Sequence, residues 1–126
     1  MIDAITNSQG NLLIVHYSDS VNREETQKCI DLVRSLLPNL APGFTVITDL
    51  GRLLHMDFEC AGDLGVVMDL CNKAGVAKIR RAIPKPEVDI GWNIISRFHY
   101  NDADVSINTY PTFFQAMKSF LLDEAK

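Results

Sequence analysis

Residues 44 to 57, Phe44-Thr45-Val46-Ile47-Thr48-Asp49-Leu50-Gly51-Arg52-Leu53-Leu54-His55-Met56-Asp57, decide how this chain is read. The first seven, Phe44 to Leu50, are rich in β-branched residues and too short for a helix, which predicts a strand lying inside a sheet. After a short link, Leu64, Val67, Met68 and Cys71 recur at helical spacing. Lys73 in the last turn and Gly75 as a C-cap close that helix. Val76 to Ile83 is β-prone again, and Pro84-Lys85-Pro86 stops it because proline cannot donate to a ladder. Strand, helix and strand in this order predict a βαβ unit with the helix crossing over a parallel sheet.

Working outward, Ile2 to Thr6 and Leu12 to Tyr17 read as two strands around Asn7-Ser8-Gln9-Gly10-Asn11, a turn-forming stretch, so a hairpin precedes the unit. Asn22 suits an N-cap, with Glu25 three residues on as in a capping box. Cys29, Ile30, Val33, Leu36, Leu37 and Leu40 then trace a helical stripe that Pro38 and Pro42-Gly43 end. Beyond the unit, Asp89 can cap a helix carrying Ile90, Ile94, Ile95 and Phe98. Val105 to Tyr110 is a last strand. Pro111 opens a last helix that turns Phe113, Phe114, Met117, Phe120 and Leu121 inward. The order β-β-α-β-α-β-α-β-α predicts an α/β fold: one mostly parallel sheet with an N-terminal hairpin and about four helices.

The 126 residues suit one domain spanning 1–126, and 47% hydrophobic with 22% charged content is that of an ordinary globular chain. Sixteen acidic against twelve basic residues give a net charge of -4, the wrong sign for a protein that neutralises phosphates. Nucleic acid is therefore not an expected partner. Cys29, Cys60 and Cys71 are odd in number and lack metal-ligand spacing, which suits a reducing cytoplasm. No basic segment followed by an apolar run opens the chain, so neither an export signal nor a membrane span is expected.

The element order, the segment Asp49 to Asp57 and the following Gly62 and Leu64-Gly65-Val66-Val67 resemble the STAS domain of sulfate transporters and anti-sigma factor antagonists. In that family a strand ending in Asp-Leu, then Met-Asp or an equivalent, a serine, a glycine and a Leu-Gly-Val-like run mark the functional loop and the helix after it. Met56-Asp57 and Leu64-Gly65-Val66 match. The likeness is to an uncharacterised bacterial, anti-anti-sigma-like branch, sometimes grouped with lipid-binding CRAL-TRIO-like domains, and Asp89 to Tyr100 also looks like that branch. It implies a non-enzymatic signalling module that binds a protein partner through His55, Asp57, Phe58, Glu59 and Cys60. The departure is the switch. In the family a serine after the Asp is phosphorylated, adding about two negative charges. Here Phe58, Glu59 and Cys60 follow Asp57, and no serine or threonine lies between residues 49 and 95. Glu59 stands either as a fixed charge in the serine's place or as an ordinary first-turn carboxylate.

Catalytic and metal readings are thin. His16, His55 and His99 are scattered, and only His55-x-Asp57 pairs a histidine with a carboxylate locally, so a zinc site would need Asp49 or His99 to arrive from elsewhere. The alternative is a loop histidine beside a capping aspartate. Cys60 at a helix start could be a stabilised thiolate or a buried small hydrophobe. Cys60 and Cys71, about 16 Å apart along one helix, cannot bridge. Gly62-Asp63-Leu64-Gly65 lacks the rest of a nucleotide-binding loop and suits close helix packing instead. No catalytic residue, metal or cofactor is expected.

Charge is uneven. Asp57, Glu59, Asp63 and Asp69 occur with no lysine or arginine from 53 to 72, whereas Lys73, Lys78, Arg80, Arg81 and Lys85 follow with no acid before Glu87. Strand alternation sends Arg80 and Arg81 to opposite faces, so one of them is expected at a rim, either solvated or binding an anion or an acidic partner. Trp92, Ile95 and His99 share one side of the third helix, and Ile90, Ile94 and Phe98 another. Two apolar sides mean deep burial, a homodimer interface, or a pocket. In the last case Trp92, Phe98 and Arg80 or Arg81 would line a site for a small apolar or anionic ligand, the alternative function.

Overall fold

The structure is a computed structural model, and it describes residues 1–85, 92, 95, 99–100 and 104–125. A five-stranded sheet runs in the order β1 (Ile2–Thr6), β2 (Leu12–Val21), β3 (Thr45–Met56), β4 (Lys78–Ala82), β5 (Ser106–Tyr110). β1 pairs antiparallel with β2, and every later pair is parallel. The expected hairpin, parallel sheet and central third strand are therefore present. α1 (Arg23–Leu36) and α2 (Ala61–Lys73) cross over between parallel strands, and α3 (Phe113–Glu124) follows β5. Trp92, Ile95 and His99 are helical. The rest of the expected third helix, with Asp89, Ile90, Ile94 and Phe98, lies outside the described residues.

Side-chain alternation divides the core in two. Leu13, Val15, Tyr17, Val46, Leu50 and Ile79 face α1, α2 and Trp92, whereas Leu12, Ile14, Ile47 and Ala82 face Ala116 and Phe120 of α3. With both faces covered, Leu12 to Val15, Thr45 to Thr48 and Ile79 to Ala82 are continuously buried.

The elements begin and end for local reasons. Asn7 Oδ1 accepts the N–H groups of Asn11 and Leu12 (3.1 Å each), and Gly10 takes φ +70°, its Cα so close to the Asn39 carbonyl that a Cβ would sit 2.7 Å from the oxygen. Asn22 caps α1 by accepting the Glu25 N–H at 3.0 Å. The expected reciprocal capping box does not form, because the Glu25 carboxylate pairs with the Met1 ammonium at 2.8 Å. A 3-10 turn at Leu37–Asn39, carrying Pro38, ends the helix.

The last helix departs further from expectation. Thr112, not Pro111, sets its start, accepting the Gln115 N–H at 3.2 Å. Ala116 and Phe120 form its buried stripe with Phe113 and Met117 beside them, while Phe114 and Leu121, expected inside, are 73% and 58% exposed. At 100° per residue a helix seated on Ala116 and Phe120 rotates those two off the sheet.

Candidate functional site

β2 and β3 outrun the rest of the sheet. β4 accompanies β3 only from Thr45 to Asp49, whereas β2 stays paired with it as far as Val21 and Met56. His55 is accordingly a strand residue opposite Ser20, not a loop residue. The Asp57 N–H donates to the Val21 carbonyl (3.1 Å), and a 3-10 turn, Phe58–Cys60, leads into α2.

This turn has an inside and an outside. Cys60 is wholly buried, with Sγ 3.9 Å from the Val21 carbonyl, and burial pushes its thiol pKa up. It is a core anchor, which corrects its place in the partner-binding loop and, of the two readings of this cysteine, selects the buried small hydrophobe; a desolvated thiol is a poor nucleophile. Phe58 points the other way and is 94% exposed, with Leu54 at 74% on the preceding ribbon. His55 Nε2 lies 3.2 Å from Asp57 Oδ1, both groups reaching solvent, and Glu59 is exposed beside them. Asp57 makes no side-chain cap. The site thus places two apolar side chains next to two carboxylates and an imidazole on the end of the sheet.

Behind this surface α2 is tied down by contacts that sequence reading missed. Asp63, 8% exposed, accepts from Thr26 Oγ1 at 2.8 Å and faces Arg23 Nε at 3.6 Å, joining α2 to α1. Gly65 lets His99 lie against the helix, since a Cβ there would meet His99 Nε2 at 2.4 Å, and His99 Nδ1 is 2.8 Å from Asp69 Oδ1. Close packing explains Gly65 but not Gly62, which has nothing nearby. Only the sequence distance hides these pairs: Thr26 and Asp63 are 37 positions apart.

Among the described residues His55 and Asp57 gain no third ligand. Asp49 is held by His16 Nδ1 at 2.7 Å and by the Gly51 N–H at 2.9 Å, and His99 is with Asp69. The His16 ring also packs on Phe113, with centroids 4.9 Å apart. Each histidine has its own carboxylate in its own place, and no three metal-ligating side chains converge among the described residues.

Of the second expected cluster, Arg81 and Trp92 meet at one internal cavity, whereas Arg80 lies on the other face of β4. Arg80 and Arg81 are both buried, at 6% and 4% exposure, so neither forms a basic rim. They lie on opposite faces of β4. Arg80 bonds Asn108 Oδ1 (2.9 Å) and Asp123 Oδ2 (3.1 Å) beneath α3, while Arg81 borders an internal cavity with Tyr17, Thr48, Trp92 and Tyr100. That cavity, about 20 Å3, has room for about one water and none for a metabolite or lipid. Burial raises the Tyr17 and Tyr100 phenol pKa values well above their ordinary range. Trp92 is 7% exposed and stands edge-on to Tyr17, 5.5 Å between centroids, so its own chain covers it and it is not a dimer surface. Phe98 lies outside the described residues.

No family model matches the chain, and no curated protein matches it. Solved structures do. An uncharacterised DUF3478-family protein with a SpoIIAA-like fold from Shewanella loihica superposes with a TM-score of 0.68 at 12% identity, covering 94% of this chain and 91% of that one. The anti-sigma factor antagonist SpoIIAA in its unphosphorylated form gives 0.63 at 14% identity, covering 95% and 97%. SiaC, solved in complex with the diguanylate cyclase SiaD that it activates in Pseudomonas aeruginosa, gives 0.56 at 14% identity, covering 87% and 93%. The chain has the SpoIIAA-like, or STAS, fold.

Proposed function

We propose that this chain is a non-enzymatic regulatory module that binds a protein partner through the end of β3 and the start of α2, with Phe58 as the central contact and Leu54, His55, Asp57 and Glu59 around it. One observation carries the reading. Phe58 is held 94% exposed by a turn whose other end, Cys60, is sealed in the core. An aromatic ring on a rigid support, rimmed by charge, has the composition of an interface hot spot. The fold supports it, being shared with an anti-sigma factor antagonist and with a cyclase activator. The family's serine after the Asp has no counterpart in the segment itself, since no serine or threonine lies between 49 and 95. Three free, buried cysteines suit work in a reducing compartment.

The test is co-purification from the native host with the wild-type chain and with Phe58→Ala, Asp57→Lys and Glu59→Lys. The wild type retains a stoichiometric protein partner, and the variants lose it while their melting temperatures stay unchanged. Should no protein be retained, or should all three variants retain it as the wild type does, the reading is wrong.

A further inference from the structure

β1 pairs with β2 in an unbroken register, from Ile2 opposite Tyr17 to Thr6 opposite Leu13, and no strand lies beyond it among the described residues. Of the residues outside that description, all but Lys126 belong to the connection between β4 and β5, and β5 is the strand furthest from β1 in the sheet. The Met1 ammonium donates to Ser18 O and the Ser18 N–H to Met1 O, both at 2.8 Å, while the Asn7 N–H donates to Leu12 O at 3.2 Å. Met1, Asp3, Ile5 and Asn7 therefore spend their backbone groups on β2, and Ile2, Ala4 and Thr6 turn theirs outward. Neither proline, lysine nor bulge guards this run. Ile5, opposite Ile14 on the side of the sheet that α3 covers, is 55% exposed.

We infer that β1 is the interface for a second copy of this chain, joined antiparallel so that the two sheets run on as one. The backbone chooses this occupant. The outward residues are symmetric about Ala4, so a two-fold axis there sets Ala4 against Ala4 and Ile2 against Thr6, and every outward N–H and C=O is matched at once. The charges fit the same register. The Met1 ammonium is paired with Glu25 at 2.8 Å, Lys28 with Glu24 at 3.4 Å, and His16, opposite Asp3, with Asp49 at 2.7 Å, while Asp19 lies past the end of the run. Asp3 is thus the carboxylate of this edge left without an ion pair among the described residues, and the register sets it across from Ile5 of the second copy. Met1 meets the neutral Asn7. A shift of two residues would instead set Asp3 against Asp3, and like charges directly opposite are destabilising. A groove of about 160 Å3 between β1 and α1, lined by Met1, Ile2, Glu25, Lys28, Cys29 and Leu32, runs along the edge, and Thr6 of the second copy comes beside it at Ile2. This self-association goes beyond the partner-binding reading and uses none of the residues of that surface.

Sedimentation of the full chain from micromolar to millimolar concentration, with amide exchange read alongside, tests this. The mass rises to twice that of one chain, and the Ala4 and Thr6 amides exchange about tenfold more slowly at the high end. Ile5→Asp sets a carboxylate opposite Asp3 and weakens association about tenfold, whereas Ile5→Lys sets an ammonium there and keeps it. Both substitutions are at an exposed side chain, so the melting temperature stays close to wild type. Ala4→Pro removes an outward N–H and no β1–β2 bond, leaving a folded single chain. A mixture of Asp3→Cys and Ile5→Cys chains cross-links on mild oxidation, and Asp3→Cys alone does not. A single-chain mass at every concentration overturns the inference, as does a two-chain mass that Ile5→Asp and Ala4→Pro both leave intact. A chain that stays single, and whose Ala4 and Thr6 amides slow only with a foreign protein bound, assigns the edge to that protein and overturns it equally. Partner retention is read separately with Phe58→Ala, so either reading can fail while the other stands.

Discussion

Arg80 and Asp123, 43 positions apart in the chain, meet at 3.1 Å beneath α3, with Lys78 Nζ 3.3 Å from the same carboxylate oxygen. A guanidinium with only 8% of its side chain exposed has been placed inside the fold, and the last turn of the last helix supplies its counterion. That contact decides whether α3 is clamped to the sheet.

Hydrogen bonds from Arg80, and next from Lys78, hold the Asp123 carboxyl pKa below its ordinary value. A carboxyl whose pKa falls on folding stabilises the native state above its unfolded pKa of ~3.9 and loses that contribution as pH drops through the folded value. Asp123→Asn should therefore lower the melting temperature at pH 7, and the gap from wild type should narrow as pH falls below the ordinary carboxyl range. Thermal melts of both proteins from pH 7 to 2.5 check this. A gap that persists unchanged to the acid end would mean the charge is not what stabilises the contact.

Gly65→Ala places a methyl group where His99 Nε2 now sits. The imidazole is the movable partner, so it swings away and gives up Asp69, at a cost of ~1–3 kcal/mol. Removing the ring first removes the conflict. Denaturant melts of Gly65→Ala, His99→Ala and the double variant should show strong non-additivity, the double variant losing little more than His99→Ala alone.

Gly10→Ala meets two obstacles at once: a φ of +70° and the Asn39 carbonyl 2.7 Å from the new Cβ. The opposing atom is backbone, and the Ala41 N–H to Gly10 carbonyl bond (2.9 Å) ties the two segments together. A loss of at least ~2 kcal/mol is expected by chemical denaturation. By contrast Gly62→Ala, within α2 and facing open space, should be neutral or stabilising by up to ~1 kcal/mol.

The three thiols should be silent in the folded protein. Burial pushes Cys29 up to about 11 and Cys71 up to about 12, and raises Cys60 as well. A chromogenic disulfide reagent at pH 8 should titrate none of them in the native state and all three in denaturant. Fast native reaction of even one would contradict its burial.

Local patterns were legible to different degrees along the chain. The hairpin and the β3-α2-β4 unit were readable because turn chemistry and apolar period act within a few residues. Strand ends were not: β2 and β3 each run several residues past the apolar stretch that announced them, since it is their pairing with each other that extends Ser18 to Val21 and Arg52 to Met56. α3 shows the same limit. Its apolar residues cover more than one face, and only docking on Ile14 and Ile47 selects Ala116 and Phe120 over Phe114 and Leu121.

What the sequence by itself determined is the order of elements, the sheet's mostly parallel character and the stretch around Asp57 as the place to look, all consequences of short-range propensity and periodicity. Which side chains form that surface was decided by tertiary structure alone. A helical or strand period says that a residue has an inside and an outside, while packing of the other elements decides which is which: it sealed Cys60 and Trp92 in the core, buried both arginines of β4 on opposite faces, and left Phe58 and Leu54 in water. The partners that neutralise the buried charges, Arg23 for Asp63 and Asp123 for Arg80, come from distant segments, because only the closed sheet brings α1 to α2 and α3 to β4.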